Sequence, residues 1–557
     1  MKFYKILALA AMTMTLAASC GEKEPEKKGS TWEQMFGKDD KDKEEPKDLG
    51  YEREVEQAAD DYEYPAAGAV EVYSPSQGIH RYQPITVKYK SGNATAISTP
   101  GNYQIPGGKV SSWSSGKARI VHYMQGYEPE TKTYEKYKTL TNKWGSTLTK
   151  EKRNATGRFR TEKINGRWWI IDPDGYVHYE RGVTSFRHGS SSRNATAFNE
   201  RFGGNDQTWI TMMQKELAQT GIHATGAFCT NAYTPMVQYN NAHPDAPLVL
   251  CPSFGFLSKF RSAKNGGKWP GVNTDNPNGS DAYEATIVMH PDWASWCKEY
   301  LAGSEFANYR GNKYVLGFFS DNEINFTSTL LKSCLQLSTG SDDLAKKSAT
   351  EFMQSKGLAA DASKVTADLN NEFLGMLAEK YYKGVSEAVK AADPGLMYVG
   401  TRLHGSPKYV RQILEAAGRY CDIVSINYYS RWSVELTDKV KEWETWTGKP
   451  FMVTEFYTKG VEDTDLPNSS GAGWCVPTQK ERAYAYQHFT LGLLEAKNCV
   501  GWTWFKYQDD DFPDNTNCPA NKGLYDYNYQ MYPILGKFMR EVNFNVYDLI
   551  NYFDGKL

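Results

Sequence analysis

Charge of one sign is missing from this 557-residue chain: 64 basic and 66 acidic residues leave a formal charge of −2. No basic stripe breaks that balance, which argues against nucleic acid as a main partner. The nine histidines show no ligand spacing such as H-E-x-x-H, and the nine cysteines form no C-x-x-C. Neither a histidine-motif metal centre nor a cysteine zinc site is therefore predicted. A phosphate-cradling glycine loop is absent too, so no metal and no cofactor enters the expected chemistry. The apolar stretch over residues 6–18 is shorter than the roughly 20 residues of a standard membrane span. Aliphatic residues almost vanish from 21–60, where Lys38-Asp39-Asp40-Lys41-Asp42-Lys43-Glu44-Glu45 has too little apolar surface to order itself. Residues 20–60 read as a flexible charged tether.

What is present at the N-terminus is more specific. Lys2 and Lys5 precede the apolar stretch, and Leu16-Ala17-Ala18-Ser19-Cys20 closes it. The pattern resembles a bacterial lipoprotein signal over residues 1–19, with cleavage before Cys20 and lipidation of its thiol and amine. It implies an exported protein held to a bacterial membrane, the outer one by expectation, on its periplasmic or surface face. Several acyl chains would hold it firmly, each buried CH₂ contributing ~0.8 kcal/mol. Among the other cysteines, Cys229, Cys251, Cys421 and Cys499 sit in or beside apolar runs and read as buried thiols. Cys475 and Cys518 lie in polar loops, and an exported chain allows them to pair.

The folded part divides in two. Residues 61–155 show short alternating runs, such as Ala69-Val70-Glu71-Val72-Tyr73 and Ile85-Thr86-Val87-Lys88-Tyr89, with a turn at Ile105-Pro106-Gly107-Gly108. This predicts a small β-rich accessory region that packs against the larger C-terminal part. From 156 to 557, apolar runs alternate with helical stretches after a hairpin whose turn is Asp174-Gly175. The alternation predicts an α/β fold, a (β/α)8 TIM barrel. Its eight strands are expected at 179–186, 224–228, 248–254, 315–320, 397–400, 423–428, 451–454 and 500–505, with helices over 209–219 and 367–392 and a closing helix over 532–543. The span exceeds the roughly 250 residues of a plain barrel, so long loops must decorate it. Aromatics make up 14% of the chain, with 15 Trp and 37 Tyr. That suits either stacking on sugar rings or a large core.

The chemistry sits where two apolar runs end. Val315-Leu316-Gly317-Phe318-Phe319-Ser320 leads into Asp321-Asn322-Glu323, and Phe451-Met452-Val453-Thr454 leads into Glu455. Barrel enzymes keep their reacting groups at these C-terminal strand ends. Glycosidic cleavage needs a proton donor at the leaving oxygen and stabilisation of an oxocarbenium-like carbon, which two carboxyls supply. Strands 4 and 7 face each other across the mouth, suiting the roughly 5–5.5 Å separation of a retaining pair. Glu323 is expected as acid/base, Glu455 as nucleophile, and Asn322 as hydrogen-bond partner of the neighbouring sugar hydroxyl. Arg402 and His404 end strand 5 and are further substrate-binding candidates, with Tyr428 and Tyr429 after strand 6 and Trp504 on strand 8 as a sugar platform. The Asp509-Asp510-Asp511 cluster reads as a solvated loop rather than a metal site.

These motifs resemble those of one family. Gly166-Arg167-Trp168-Trp169-Ile170-Ile171-Asp172-Pro173-Asp174-Gly175, Gly317-Phe318-Phe319-Ser320-Asp321-Asn322-Glu323, Asp422-Ile423-Val424-Ser425-Ile426-Asn427-Tyr428-Tyr429, Lys449-Pro450-Phe451-Met452-Val453-Thr454-Glu455-Phe456 and Val500-Gly501-Trp502-Thr503-Trp504-Phe505-Lys506-Tyr507-Gln508-Asp509 are similar to motifs of the β-agarases of glycoside hydrolase family 50. The resemblance implies a retaining (β/α)8 hydrolase that cleaves β-1,4-galactosidic bonds of agarose, with acid/base at Glu323 and nucleophile at Glu455. Its substrate would be a polysaccharide or oligosaccharide. The chain departs from the family in lacking room for the large carbohydrate-binding jelly roll that precedes the typical barrel. Another β-glycan as substrate (a β-galactoside, porphyran or mannan), or a non-catalytic glycan-binding lipoprotein, stands as the alternative.

Overall fold

A computed structural model describes residues 62–73, 80–96, 107–129, 132–189, 191–229, 232–264, 281–341, 343–511 and 519–556. The predicted signal, Cys20 and the tether lie outside these residues, as does Cys518. Eight parallel strands form the barrel: β1 (Glu180–Val183), β2 (Ala224–Thr225), β3 (Val249–Leu250 and Ser253–Phe254), β4 (Gly317–Ser320), β5 (Met397–Gly400), β6 (Val424–Asn427), β7 (Phe451–Glu455) and β8 (Cys499–Trp504). The ladder runs β3-β2-β1-β8-β7-β6 on one side and β3-β4-β5 on the other. A parallel bridge between Leu403 and Ile426 closes the ring. Strand β3 is in two pieces because Pro252 lacks an N–H, though its carbonyl still accepts from Phe319 N at 2.8 Å.

Two layers of core arise from the two faces of each strand. Inward-facing Ala224, Val249, Leu316, Val399, Met452 and Val500 fill the barrel. Outward-facing Val424, Ile426, Phe451, Val453 and Trp502 pack beneath the helices. Three bulges interrupt this alternation. They fall between Phe318 and Phe319 on β4, between Ile426 and Asn427 opposite β7, and between Phe451 and Val453 where β7 meets β8. A bulge places two residues opposite one and so re-aims the side chains beyond it.

The long helix Ala367–Ala392 leads into β5, capped by Thr366, whose side chain accepts from Leu369 N. The three-stranded antiparallel sheet Arg160–Ile164, Arg167–Ile171 and Val177–His178 lies at the N-terminal end of the barrel, with Trp168 N donating to Lys497 O at 2.8 Å.

The accessory region is built of short antiparallel pairs, Ile85–Tyr89 with Ser114–Ala118 being the longest. It lies along the helix Gln479–Glu495, which is buried on every face from Arg482 onward. Val121 N donates to Gln487 Oε1 at 2.8 Å, Arg119 N to His488 Nδ1 at 3.0 Å, and the Arg119 guanidinium pairs with Glu495 at 3.0 Å. These polar residues of the helix therefore bond the accessory region rather than water. The seven described cysteines, Cys475 among them, are all buried as free thiols.

Candidate functional site

The mouth of the barrel is assembled from backbone that departs from strand geometry. Asp321 and Glu323 after β4, Arg402 after β5, Ser185 after β1 and Phe228 after β2 all take positive φ values between 51° and 65°. Left-handed conformations are costly for residues with a Cβ and persist only where the surroundings enforce them. Glu323 is held by its own N–H, which donates to Thr401 O at 3.0 Å. Asp321 anchors the turn from beneath: its carboxylate accepts from Leu257 N at 3.0 Å and from Tyr381 Oη at 2.5 Å. Burial pushes this carboxyl up to about 7 despite those donors.

Strand β7 delivers the second carboxylate. The bulge pairs Glu455 with Asn427 and turns it toward the mouth, leaving its side chain 7% exposed. The guanidinium of Arg402 bonds Glu455 directly, and Tyr429 Oη donates to its other oxygen at 2.8 Å. Arg402 itself is fully buried. Its backbone N–H donates to Ser425 Oγ at 2.8 Å, and its Nε to Asn322 Oδ1 at 2.9 Å. That second bond fixes the orientation of the Asn322 amide and leaves its NH₂ turned away from Arg402.

Glu323 has gentler company. Asn427 Nδ2 donates to its Oε1 at 2.7 Å, and His404 Nδ1 stands 3.6 Å from Oε2, beyond hydrogen-bond range. Burial holds His404 down to about 4, so the ring is neutral at pH 7. Asn427 is locked in turn by Thr454 Oγ1, which donates to its Oδ1 at 2.8 Å. Burial raises both carboxyls above the ordinary carboxylate range. At Glu455 the guanidinium of Arg402 opposes that rise and the charge of Glu323 adds to it. At Glu323 the Asn427 amide and the charges of Arg402 and Lys408 oppose it. Two buried carboxyls, one ion-paired and one not, are thus joined through Arg402, Asn322 and Asn427.

The comparisons with known proteins bear on this arrangement. The structure of BpGH50 is 45% identical, matches 88% of this chain and 100% of its own, and superposes with a TM-score of 0.77. The chain belongs to glycoside hydrolase family 50. Two further structures, the agarase AgWH50C and an exo-β-agarase, share the fold at 16% identity over 76% of this chain and 71% of theirs, with TM-scores of 0.54 and 0.55. β-Agarase B of Vibrio sp. (strain JT0107) is 21% identical over an alignment of 440 residues that covers 64% of this chain; the chain spans 45% of that relative's length. No protein-family model matches the chain.

Within this family-50 barrel several expected site residues are held by protein partners. Trp504 is 1% exposed, its indole N–H donates to Lys522 O at 3.0 Å, and its ring packs edge-on against Phe456. The bulge on β8 turns Thr503 inward, where its Oγ1 donates to Thr454 O at 2.6 Å, and Trp504 outward. The little of this residue that stays open borders the recess beside Tyr429. Tyr428 and Tyr429, adjacent in sequence, point to opposite sides. Tyr428 Oη donates to Glu435 Oε2 at 2.9 Å, away from Glu455. Arg402, expected on substrate hydroxyls, directs Nε to Asn322 and Nη2 to Glu455, while its buried Nη1 has no hydrogen-bond partner.

The three aspartates after β8 are not a solvated loop either: all are buried. Asp509 accepts from Gly523 N and Tyr532 Oη, Asp510 pairs with Lys506 and Lys522, and Asp511 pairs with Arg193. They pin the loop after β8. Among the described residues no cluster of His, Cys, Asp or Glu could hold a metal ion. Asn427 was missed in the sequence; the signal was a polar residue closing an otherwise apolar inner strand end. Beside Tyr429 a recess opens between Tyr457, Trp432, Gly473 and Trp474, and Tyr89 of the accessory region stacks on Trp432 at 4.8 Å.

Proposed function

We propose that this protein is a retaining glycoside hydrolase that cleaves β-1,4-galactosidic bonds of an agarose-type galactan. The observation that carries the mechanism is the unequal treatment of two buried carboxyls. Glu455 has a guanidinium and a phenol donating to it, whereas Glu323 has one amide and a neutral histidine. The charge of Glu323 acts on Glu455, so the two titrate as a pair, and the first proton belongs where the opposing positive charge is weaker. Glu323 therefore carries the proton and Glu455 the charge, the division of roles that double displacement requires.

Glu323 gives its proton to the glycosidic oxygen as the C–O bond breaks, and a Glu455 oxygen bonds the anomeric carbon. The ionised Glu323 then takes a proton from water, whose oxygen displaces Glu455 from the sugar. The Asn322 NH₂, oriented by Arg402, donates to the hydroxyl beside the reacting carbon. Agarose as substrate rests on the family and on the names of its relatives. Export with lipidation at Cys20, and anchorage to a bacterial membrane, rest on the N-terminal sequence.

The test is a panel of agarose, porphyran, carrageenan, mannan, xylan and cellulose, with products separated by chromatography, run alongside Glu455→Ala. Agarose cleavage by the wild type and loss of more than a thousandfold in the variant are expected. Cleavage of another β-glycan would overturn the substrate, and a Glu455→Ala protein turning over at the wild-type rate would overturn the nucleophile.

A further inference from the structure

The turn that carries the proposed proton donor is hung between two neighbouring strands. Asp321 N–H donates to Phe254 O at the end of β3 at 2.7 Å, and Glu323 N–H donates to Thr401 O just beyond β5 at 3.0 Å. Both residues are left-handed, with φ of 53° and 51°. Aspartate tolerates that conformation better than glutamate does, so the shape of the turn has to be imposed on Glu323 from outside. The three side chains of the turn leave in three directions. Asn322 accepts from Arg402 Nε at 2.9 Å, Glu323 accepts from Asn427 Nδ2 at 2.7 Å, and Asp321 turns back into the scaffold. There its Oδ1 accepts at 3.0 Å from Leu257 N, in the first turn of the helix Phe256–Lys264. Its Oδ2 accepts at 2.5 Å from Tyr381 Oη, in the middle of the helix Ala367–Ala392.

The two carboxyls of the site are therefore aimed by different means. Glu455 is held through its own side chain, between the Arg402 guanidinium and Tyr429 Oη. The side chain of Glu323 takes one hydrogen bond, so its aim follows the backbone that carries it. We propose that Asp321 is the positioning residue of the proton donor: its carboxylate ties the turn to two helices and so points Glu323 at the leaving oxygen. The inference rests on the hydrolase reading above. Proton transfer needs hydrogen-bond reach of the accepting oxygen, and a misplacement of about 1 Å costs on the order of a hundredfold. The loss should therefore fall on bond breaking that needs a proton and spare bond breaking that does not. Asp321 also gives an acceptor to an N–H at the start of a helix. A purely capping role would lower stability without choosing between leaving groups.

The experiment measures kcat/KM and Tm for the wild type, Asp321→Asn, Tyr381→Phe and Glu323→Ala on two substrates. One is a neutral galactan oligosaccharide; the other is a dinitrophenyl β-glycoside of the same sugar, whose leaving group departs without a proton. Asp321→Asn keeps the size of the side chain, and Tyr381→Phe removes the other half of the same hydrogen bond from a different helix. Asp321→Asn is expected to lose on the order of a hundredfold on the oligosaccharide and less than about tenfold on the aryl glycoside, the pattern that Glu323→Ala sets. Tyr381→Phe should follow it more weakly. The positioning role is refuted if Asp321→Asn loses equally on both substrates, as capping alone requires, or keeps the wild-type rate on the oligosaccharide. Should Asp321→Asn fail to fold, the same criterion applies to Tyr381→Phe. A wild type that cleaves neither substrate, or a Glu323→Ala protein that treats both alike, would instead bring down the hydrolase reading, and this inference with it.

Discussion

Replacing Arg402 with Met should move the whole pH profile to higher pH. Arg402 is fully buried and its partner Glu455 nearly so. Methionine fills much of the same space but leaves the carboxylate without its countercharge. Removing one partner of a buried pair costs about 3 kcal/mol or more. Glu455 avoids that cost by taking up a proton, so at ~1.36 kcal/mol per pH unit its titration moves up by about two units. The guanidinium also holds Glu323 down, so that group rises in the same direction. The acid limb of kcat/KM, which reports ionisation of the nucleophile, and the basic limb, which reports loss of the proton on the acid, both shift alkaline. A rate measured only near the wild-type optimum would drop on the order of a hundredfold, yet part of the loss should return as the pH is raised. Initial rates from pH 4 to 10, with circular dichroism to confirm folding, provide the assay. An acid limb that stayed put or moved down would refute the assignment of Arg402 as the counterion of the nucleophile.

Asn427→Ala removes the hydrogen bond that favours ionised Glu323, so the basic limb alone should rise, by about one unit for a charged hydrogen bond of roughly 1.5 kcal/mol; the same pH series reads it. In the accessory region, Arg119→Ala leaves Glu495 buried without its guanidinium and should cost about 3 kcal/mol. Thermal unfolding should record that as a lowered Tm with kcat on the galactan unchanged.

How far the sequence could be read depended on scale. All eight barrel strands fall on the apolar runs that predict them, six with both ends within two residues and the first two ending three residues early, because a strand buried on both faces has an unmistakable composition. Glu323 and Glu455 were equally legible as carboxyls that close such runs. Direction was harder. A single bulge decides whether Trp504 or its neighbour Thr503 faces inward, and nothing in Val500-Gly501-Trp502-Thr503-Trp504 announces it beyond a glycine. Tyr428 and Tyr429 posed the same problem of parity at the end of β6. Charged clusters misled in another way. Asp509, Asp510 and Asp511 look solvated in one dimension because their partners Lys522, Arg193 and Tyr532 come from distant segments.

The seam between the accessory strands and the helix Gln479–Glu495 bears on how this protein can be taken apart. A polypeptide started at residue 156 would retain every barrel strand, yet it would strip the covering from His488, Gln487 and Glu495 and uncover one flank of a helix composed for an interior. Hydrogen bonds and a buried ion pair cross the border that sequence alternation draws there. Contacts with that helix extend back at least to Tyr62, whose hydroxyl meets that of Tyr484. Evolution could then have exchanged or enlarged the N-terminal strands only in step with the outer surface of that helix, so variation in one should be mirrored in the other.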